Sequence, residues 1–164
     1  MNYHPVNFAA PTGNAHDFDF LHGAWRIDNK RLKRRWVGSD DWETFEGFSR
    51  CQPYMDGSAN VEQLDVPALD FSGLSLRVFD RTTRRWAVHW IDSRLGTLLP
   101  PLHGGFMGDH GVFVGRDEDA GQPVTVQFFW TRLDADNVRW SQAFSRDGIV
   151  WETNWIMKLR RVSP

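Results

Sequence analysis

Six histidines, His4, His16, His22, His89, His103 and His110, are the first residues to test for acid–base or metal chemistry. No two of them stand at H-x-H or H-E-x-x-H spacing, the arrangements that put two imidazoles on one metal ion. A single cysteine, Cys51, excludes both an internal disulfide and a cysteine-based zinc cluster. No metal site is therefore expected. His103 and His110 flank Gly104-Gly105-Phe106-Met107-Gly108 and would converge only if that stretch is a loop at the mouth of a barrel; their simpler reading is as plain loop histidines. His89 lies within an apolar stretch and is either a hydrogen-bonded structural residue or a group facing a ligand.

Two further groups carry polar chemistry beside aromatic rings. Trp90, Asp92 and Arg94 share one face of a strand by alternation. An indole plane followed by an acid and a guanidinium suits a flat ligand with polar edges, and it equally suits a structural ion pair that pins a strand end. Gln142 stands between Trp140 and Phe144 on an otherwise aromatic face. A buried amide needs partners, so Gln142 is expected to bond across to Thr153 or to meet a ligand. Arg26 to Arg35 contains six basic residues, which with nearby aromatics raises single-stranded nucleic acid as a partner. Asp40, Asp41, Glu43 and Glu46 follow on the adjoining strand and neutralise the run, so a solvated, cross-strand-paired surface is the better reading. No phosphate-binding loop, nucleophile elbow or dinucleotide fingerprint is present, and no cofactor is expected.

These residues must be positioned by strands. Short apolar–polar alternations recur near 24–36, 42–52, 59–66, 72–79, 85–93, 96–102, 111–116, 124–132, 137–146 and 150–160, separated by Gly, Pro, Asp and Asn. Roughly ten strands with short connections and no intervening helix predict an antiparallel meander that closes as a barrel or folds over as a sandwich. One helical stretch is expected, a turn or two around 15–22 with Asn14 as cap and Gly23 as stop. Residues 1–14, with Pro5, Pro11 and Gly13, read as an arm, and 15–164 as one domain.

Hairpin turns set the register. Asp147-Gly148 is a type I′ signal; as a two-residue loop it sets Phe144 opposite Trp151, Gln142 opposite Thr153, Trp140 opposite Trp155 and Val138 opposite Met157. All eight then share an inward face, with Arg139, Ser141, Glu152, Asn154 and Lys158 outside. The same treatment of Gly38-Ser39 sets Arg34 opposite Glu43 and Arg31 opposite Glu46, with Trp42, Thr44, Glu46 and Phe48 sharing a face with Trp25 and Ile27. If that face is interior, Arg31 and Glu46 form a buried ion pair. For 72–79 and 85–93 two apolar faces compete, Leu74, Leu76, Val78, Ala87, His89 and Ile91 against Phe79, Trp86, Val88, Trp90 and Asp92. Periodicity also leaves the inward face of 124–132 open, since a bulge would exchange it.

The segment Phe18-Asp19-Phe20-Leu21-His22-Gly23-Ala24-Trp25-Arg26-Ile27, a short aromatic turn followed by Gly-x-Trp at the opening of the first strand, resembles the lipocalins of the calycin superfamily. Trp90-Ile91-Asp92-Ser93-Arg94, Pro100-Pro101 and Trp151-Glu152-Thr153-Asn154-Trp155 look like a bacterial branch of calycin-like β-barrel proteins without an assigned function. The resemblance spans most of the chain. It implies an up-and-down barrel whose Trp closes one end and whose cavity holds a small hydrophobic molecule. Secreted lipocalins carry a signal and disulfides; neither is visible here, which implies a cytoplasmic barrel. Related haem-binding barrels use a histidine near the C-terminal end; the last histidine here is His110, so no residue matches and haem is not expected.

The net charge of -2, from 19 basic and 21 acidic residues, argues against a nucleic-acid or anionic-membrane partner. No apolar run is long enough to span a bilayer as a helix. Nine Trp, twelve Phe and two Tyr are more aromatic mass than the pattern needs for turns and edges. The reading is a calycin-type all-β barrel that binds a small hydrophobic or aromatic molecule. Trp90, Trp140 and Trp155 would supply walls, and Glu46, His89, Asp92, Arg94 and Gln142 would orient or face its polar atoms. The competing reading is an enzyme of small-molecule metabolism (a cyclase, isomerase or hydrolase) in which Glu46, Asp92 or His89 transfers a proton in a dry pocket. A third is a homodimer formed through a Trp-rich exterior.

Overall fold

The structure, a computed structural model, describes residues 10–164. Ten strands follow one another along the chain: β1 (Gly23–Leu32), β2 (Trp42–Tyr54), β3 (Ala59–Val66), β4 (Phe71–Asp80), β5 (Arg85–Asp92), β6 (Leu102–Met107), β7 (His110–Asp119), β8 (Gln122–Arg132), β9 (Asn137–Ser145) and β10 (Glu152–Ser163). Each pairs antiparallel with its neighbours in sequence, and β1 pairs with β10, so the meander closes into a barrel with no free edge. Of the barrel and the sandwich that alternation left open, the barrel forms.

One end is plugged. The expected helix contracts to a 3-10 turn, Asp19–Leu21, preceded by a tight turn in which the Asp17 carboxylate accepts the Asn14 amide at 2.7 Å. Phe18 and Leu21 have no exposed surface, and Phe18 packs edge-on against Trp86 and Phe106 with ring centroids 5.0 and 5.2 Å away. Trp25 closes this end from β1: its indole N–H donates to the Leu21 carbonyl at 2.8 Å, and Arg161 of β10 lies over its ring at 4.2 Å. The Arg161 guanidinium donates in turn to the carbonyls of Phe20 (2.5 Å) and His22 (2.6 Å), tying first turn, first strand and last strand together. Residues 10–14 of the expected arm continue along the barrel: the Gly13 amide donates to Arg84 O, and Trp86 donates to Asn14 O at 2.9 Å. A Cβ on Gly105 would come within 2.8 Å of the Gly13 nitrogen, so glycine on β6 is what lets this segment cross. Residues 1–9 of that arm lie outside the described residues.

Three local expectations change, and a fourth point, left open by alternation, is decided. First, 96–102 is not a strand; Leu98 makes an isolated bridge to Ile91, and β6 begins only at Leu102. Pro100 and Pro101 have no N–H to offer a ladder. The glycine-rich stretch is therefore strand, with His103 opposite Val114 and His110 opposite Met107, so the two histidines do not converge. Second, the β1–β2 connection spans residues 33–41, not two, and Arg31 pairs with Glu43. The odd register shift turns β2 over: Phe45, Ser49 and Cys51 are buried, whereas Thr44 and Phe48 are exposed.

Third, the β9–β10 loop is wider than Asp147-Gly148, because the Asp147 carboxylate accepts the amides of Ile149 and Val150, both at 2.8 Å. Glu152 lies opposite Phe144, then a register shift between Thr153 and Trp155 sets Trp155 opposite Gln142, Met157 opposite Trp140 and Leu159 opposite Val138. Beyond the bulge the offset from the expected pairing is two residues, so Trp155 and Met157 stay inward. Before it the offset is one, which sets Thr153 opposite Ala143 on the outer face, with Trp151, and the bulge buries Asn154, expected outside. Fourth, β5 turns Trp86, Val88 and Trp90 inward, which leaves Ala87, His89 and Ile91 on the outer face. On β8, Val124, Val126 and Trp130 are buried without any register shift.

The plug is a stability element. Trp25→Ala is expected to lower unfolding free energy by about 3–5 kcal/mol, the range for a buried Trp truncation, measured by urea denaturation.

Candidate functional site

The side chains of the plug fill one half of the barrel. The other half holds a cavity of about 90 Å³, counting positions open to the centre of a water molecule. Roughly 10–15 Å³ on that scale admits one water, so the space takes a small organic molecule. Aliphatic walls come from Ile27, Leu64, Val88, Leu102, Val126 and Leu159, and aromatic walls from Trp90, Phe128, Trp130, Trp140 and Trp155, with Met157 beside them.

Strand alternation and two local devices set these rings. Trp90 lies across β4 where a Cβ at Gly73 would occupy the space of its ring, so glycine at that position admits the indole. Across the barrel, Trp140 meets Trp155 edge-on at 5.8 Å and Phe128 at 5.0 Å. Trp155 is held by its N–H bond to Asn29 Oδ1 at 3.0 Å. Gln142 donates to Asn154 Oδ1 at 2.8 Å, so its cross-strand partner is the residue that the bulge turned inward and not Thr153.

The inner end of the cavity is polar. Glu62 of β3 and Arg77 of β4 form a buried ion pair at 2.5 Å, with side chains 8% and 3% exposed. Glu62 also accepts the Ser49 hydroxyl at 2.7 Å, and Arg77 donates to Asn60 Oδ1 at 2.9 Å. The Arg77 guanidinium lies near both Phe18 of the plug (5.1 Å) and Trp130 of the cavity wall (5.7 Å), whose rings meet each other edge-on at 5.9 Å. Burial, with the Glu62 charge nearby, pushes the Cys51 thiol up to about 12, which keeps it protonated and inert at neutral pH.

The cavity reaches the surface beside the double proline. Leu99 and Pro100 line it together with Arg116 and Asp117 of β7, and Pro100 and Arg116 are exposed. The β5–β6 ladder holds only three residue pairs, Trp86 with Gly104 through Val88 with Leu102, so the barrel wall is thinnest here. Above the cavity, the 33–41 connection is strapped down. Arg35 pairs with Asp119 at 2.5 Å, the Trp36 indole donates to the same carboxylate at 2.6 Å, and the Trp36 amide donates to Glu152. Trp36 holds this place with a left-handed backbone, φ 67°, under the Arg146 guanidinium.

Of the residues singled out from sequence, Trp90, Trp140, Gln142 and Trp155 line the cavity. Asp92 and Arg94 do not. They form an ion pair at 2.7 Å in the turn after β5, where Asp92 also accepts the Arg94 amide and Arg94 covers Phe71 at 4.5 Å. Glu46 and His89 are corrections. Glu46 sits on the outer face of β2 in an ion pair with Arg26, because the long connection reversed the strand. His89 lies opposite Leu76 on the outer face of β5, its ring near the Leu99 carbonyl. Sequence reasoning missed Glu62, Ser75, Arg77 and Trp130. The available signal was the Gly73, Ser75, Arg77 stripe, which shares a face with Phe79 and which alternation left undecided against the Leu74, Leu76, Val78 face.

Carboxylates near the cavity are engaged: Glu62 with Arg77 and Ser49, Glu43 with Arg31, Asp92 with Arg94, Asp119 with Arg35 and Trp36. Asp117 at the rim accepts the Glu118 amide. Among the described residues no cluster of three His, Cys, Asp or Glu side chains has metal-binding geometry, and no helix is long and apolar enough to cross a membrane.

Two outcomes are expected. Arg77→Ala leaves Glu62 buried without its counter-ion and should cost about 3–5 kcal/mol, whereas Glu62→Gln with Arg77→Met should cost much less; chemical denaturation measures both. Arg35, and then the Trp36 indole, hold the Asp119 carboxyl below the usual carboxylate range. Its contribution is therefore complete above the unfolded value of about 3.9 and is lost as pH falls through the depressed folded value. The Trp36 indole N–H resonance should shift in that acid window, and Asp119→Asn should abolish the shift.

The chain matches no family model, and no curated protein matches it.

Proposed function

We propose that the barrel binds one small, flat, largely apolar organic molecule in the cavity between Trp90, Trp130, Trp140 and Met157. The observation that carries this reading is a space walled by indoles inside a barrel whose other end is occupied by Phe18, Leu21, Trp25 and Trp86. The resemblance of the opening Gly-x-Trp segment to lipocalin-like calycins supports it, since Trp25 closes one end of a ten-stranded barrel here. Proton-transfer catalysis is less well supported: it needs a free carboxylate or imidazole facing the space, and Glu62 is already held by Arg77 and Ser49 while His89 faces outward.

The driving force is burial. Removing roughly 200 Å² of ligand surface from water contributes about 5 kcal/mol, which corresponds to a dissociation constant on the order of 100 µM. Ethylbenzene is a suitable neutral probe, followed through the indole N–H resonances. One-to-one binding of about that strength is expected, with Val88→Phe weakening it about tenfold or more by filling the wall. No binding, or equal binding to Val88→Phe, would overturn the proposal.

A further inference from the structure

We infer that the outer face of β3 to β7 is the contact surface of a homodimer, its partner a second copy of this chain seated on the same face. The inference rests on the outside of the barrel and is independent of what the cavity holds. In β4 the usual order is reversed. Gly73, Ser75 and Arg77 are buried and face inward, whereas Leu74, Leu76 and Val78 point out and are only half-buried. A sheet face in contact with water ordinarily carries the polar side of the alternation. Register extends the aliphatic stripe sideways. Leu76 lies between Val61 of β3 and His89 of β5, and Leu74 lies beside Ile91, which bridges to Leu98. Val78 lies beside Ala87, followed by His103 on β6 and Val114 on β7. Among these described positions there is no Asp, Glu, Lys or Arg. The opposite side of the barrel shows a solvated wall: the outward positions of β1, β2 and β10 carry ion pairs, Arg26 with Glu46 and Asp28 with Arg160.

The chemistry of the face selects its partner. A nucleic acid, an acidic peptide or an anionic lipid surface is held by Lys and Arg, and the centre of this face has neither. Its match is a surface equally uncharged and aliphatic, which the same face on a second copy supplies, and homodimer contacts are the more apolar class of interface. A two-fold axis near Leu76 lays the two faces together as packed sheets. Charge returns only at the rim and in both signs, Asp65 and Asp80 with Arg85 and Arg116, so the rims can pair across the axis. The area suffices. At about 4.8 Å between strands and about 3.3 Å per residue, five strands of about five residues cover roughly 400 Å². The rim around them brings each copy to roughly 800 Å², the share one partner buries in an interface of standard size. No tryptophan lies on this face, since Trp86 and Trp90 of β5 point inward, so the contact is aliphatic.

Sedimentation equilibrium of the full chain over a range of concentrations tests the inference, with three variants beside wild type. Wild type should show the mass of two chains and dissociate only on dilution, with a constant on the order of micromolar or tighter. Leu76→Arg brings a guanidinium from each copy to the centre of the contact and should weaken association at least about a hundredfold. Leu74→Gln is the milder change that serves if Leu76→Arg fails to fold, and it should weaken association about tenfold. Phe48→Arg adds the same charge on the outer face of β2, where Phe48 is 43% exposed, and should leave association unchanged. A single-chain mass at every concentration overturns the inference. So does a dimer that both Leu76→Arg and Leu74→Gln leave intact, or one that Phe48→Arg weakens as much as Leu76→Arg does.

Discussion

Arg77 stands where the two halves of this barrel meet. Its guanidinium lies 5.1 Å from the ring of Phe18, the centre of the plug, and 5.7 Å from that of Trp130, a wall of the cavity, and these two rings also meet each other at 5.9 Å. A cation at that depth persists only with a counter-charge and with its N–H groups taken up. Glu62 supplies the charge, Asn60 accepts another N–H, and Ser49 completes the carboxylate, which fixes the inward face of β2, β3 and β4 together. The pair marks where the packing changes character partway along the barrel: the plug rings Phe18, Trp86 and Phe106 mesh on one side of it, and on the other Trp90, Trp140 and Trp155 line a cavity.

A closed sheet of ten strands encloses more space than alternating side chains fill, and small barrels of this kind leave room for a ligand. Here the surplus is divided. The N-terminal turn brings Phe18 and Leu21 into one end, and Trp25, latched by Arg161, seals it. At the other end no segment of the described residues enters; the 33–41 strap passes over the rim through Asp119 and Glu152. Openness at the wall is also built in by chemistry. Pro100 and Pro101 cannot continue the β5–β6 ladder, and the cavity reaches the surface where they stand.

The architecture was legible because period-two alternation and turn residues report strands directly, and the closing tryptophan was legible from Gly-x-Trp. The inward face of β9 and β10 was also readable, since an even offset at the Asn154 bulge leaves Trp140 and Trp155 inside. Register was legible only where a turn sits in its minimal form. Gly38-Ser39 looks like a hairpin turn but lies in a nine-residue connection anchored from β7 and β10, contacts more than eighty residues away in sequence, and so Glu46 was placed inside and is outside. The polar floor was hidden for a related reason. Alternation left two faces of β4 and β5 open, and only Trp90, which needs Gly73 beneath it, turns the face of Ser75 and Arg77 inward. Pairwise packing between distant strands decided it, and no local pattern encodes that.

The central claim is that the half of the barrel beyond Arg77 is a space that accepts a foreign molecule. A crystal structure under xenon pressure tests it most directly, since apolar cavities take up xenon. The account expects a xenon peak among Trp90, Leu102, Trp140 and Met157, with these side chains unmoved; an empty map with the indoles collapsed onto one another would contradict it.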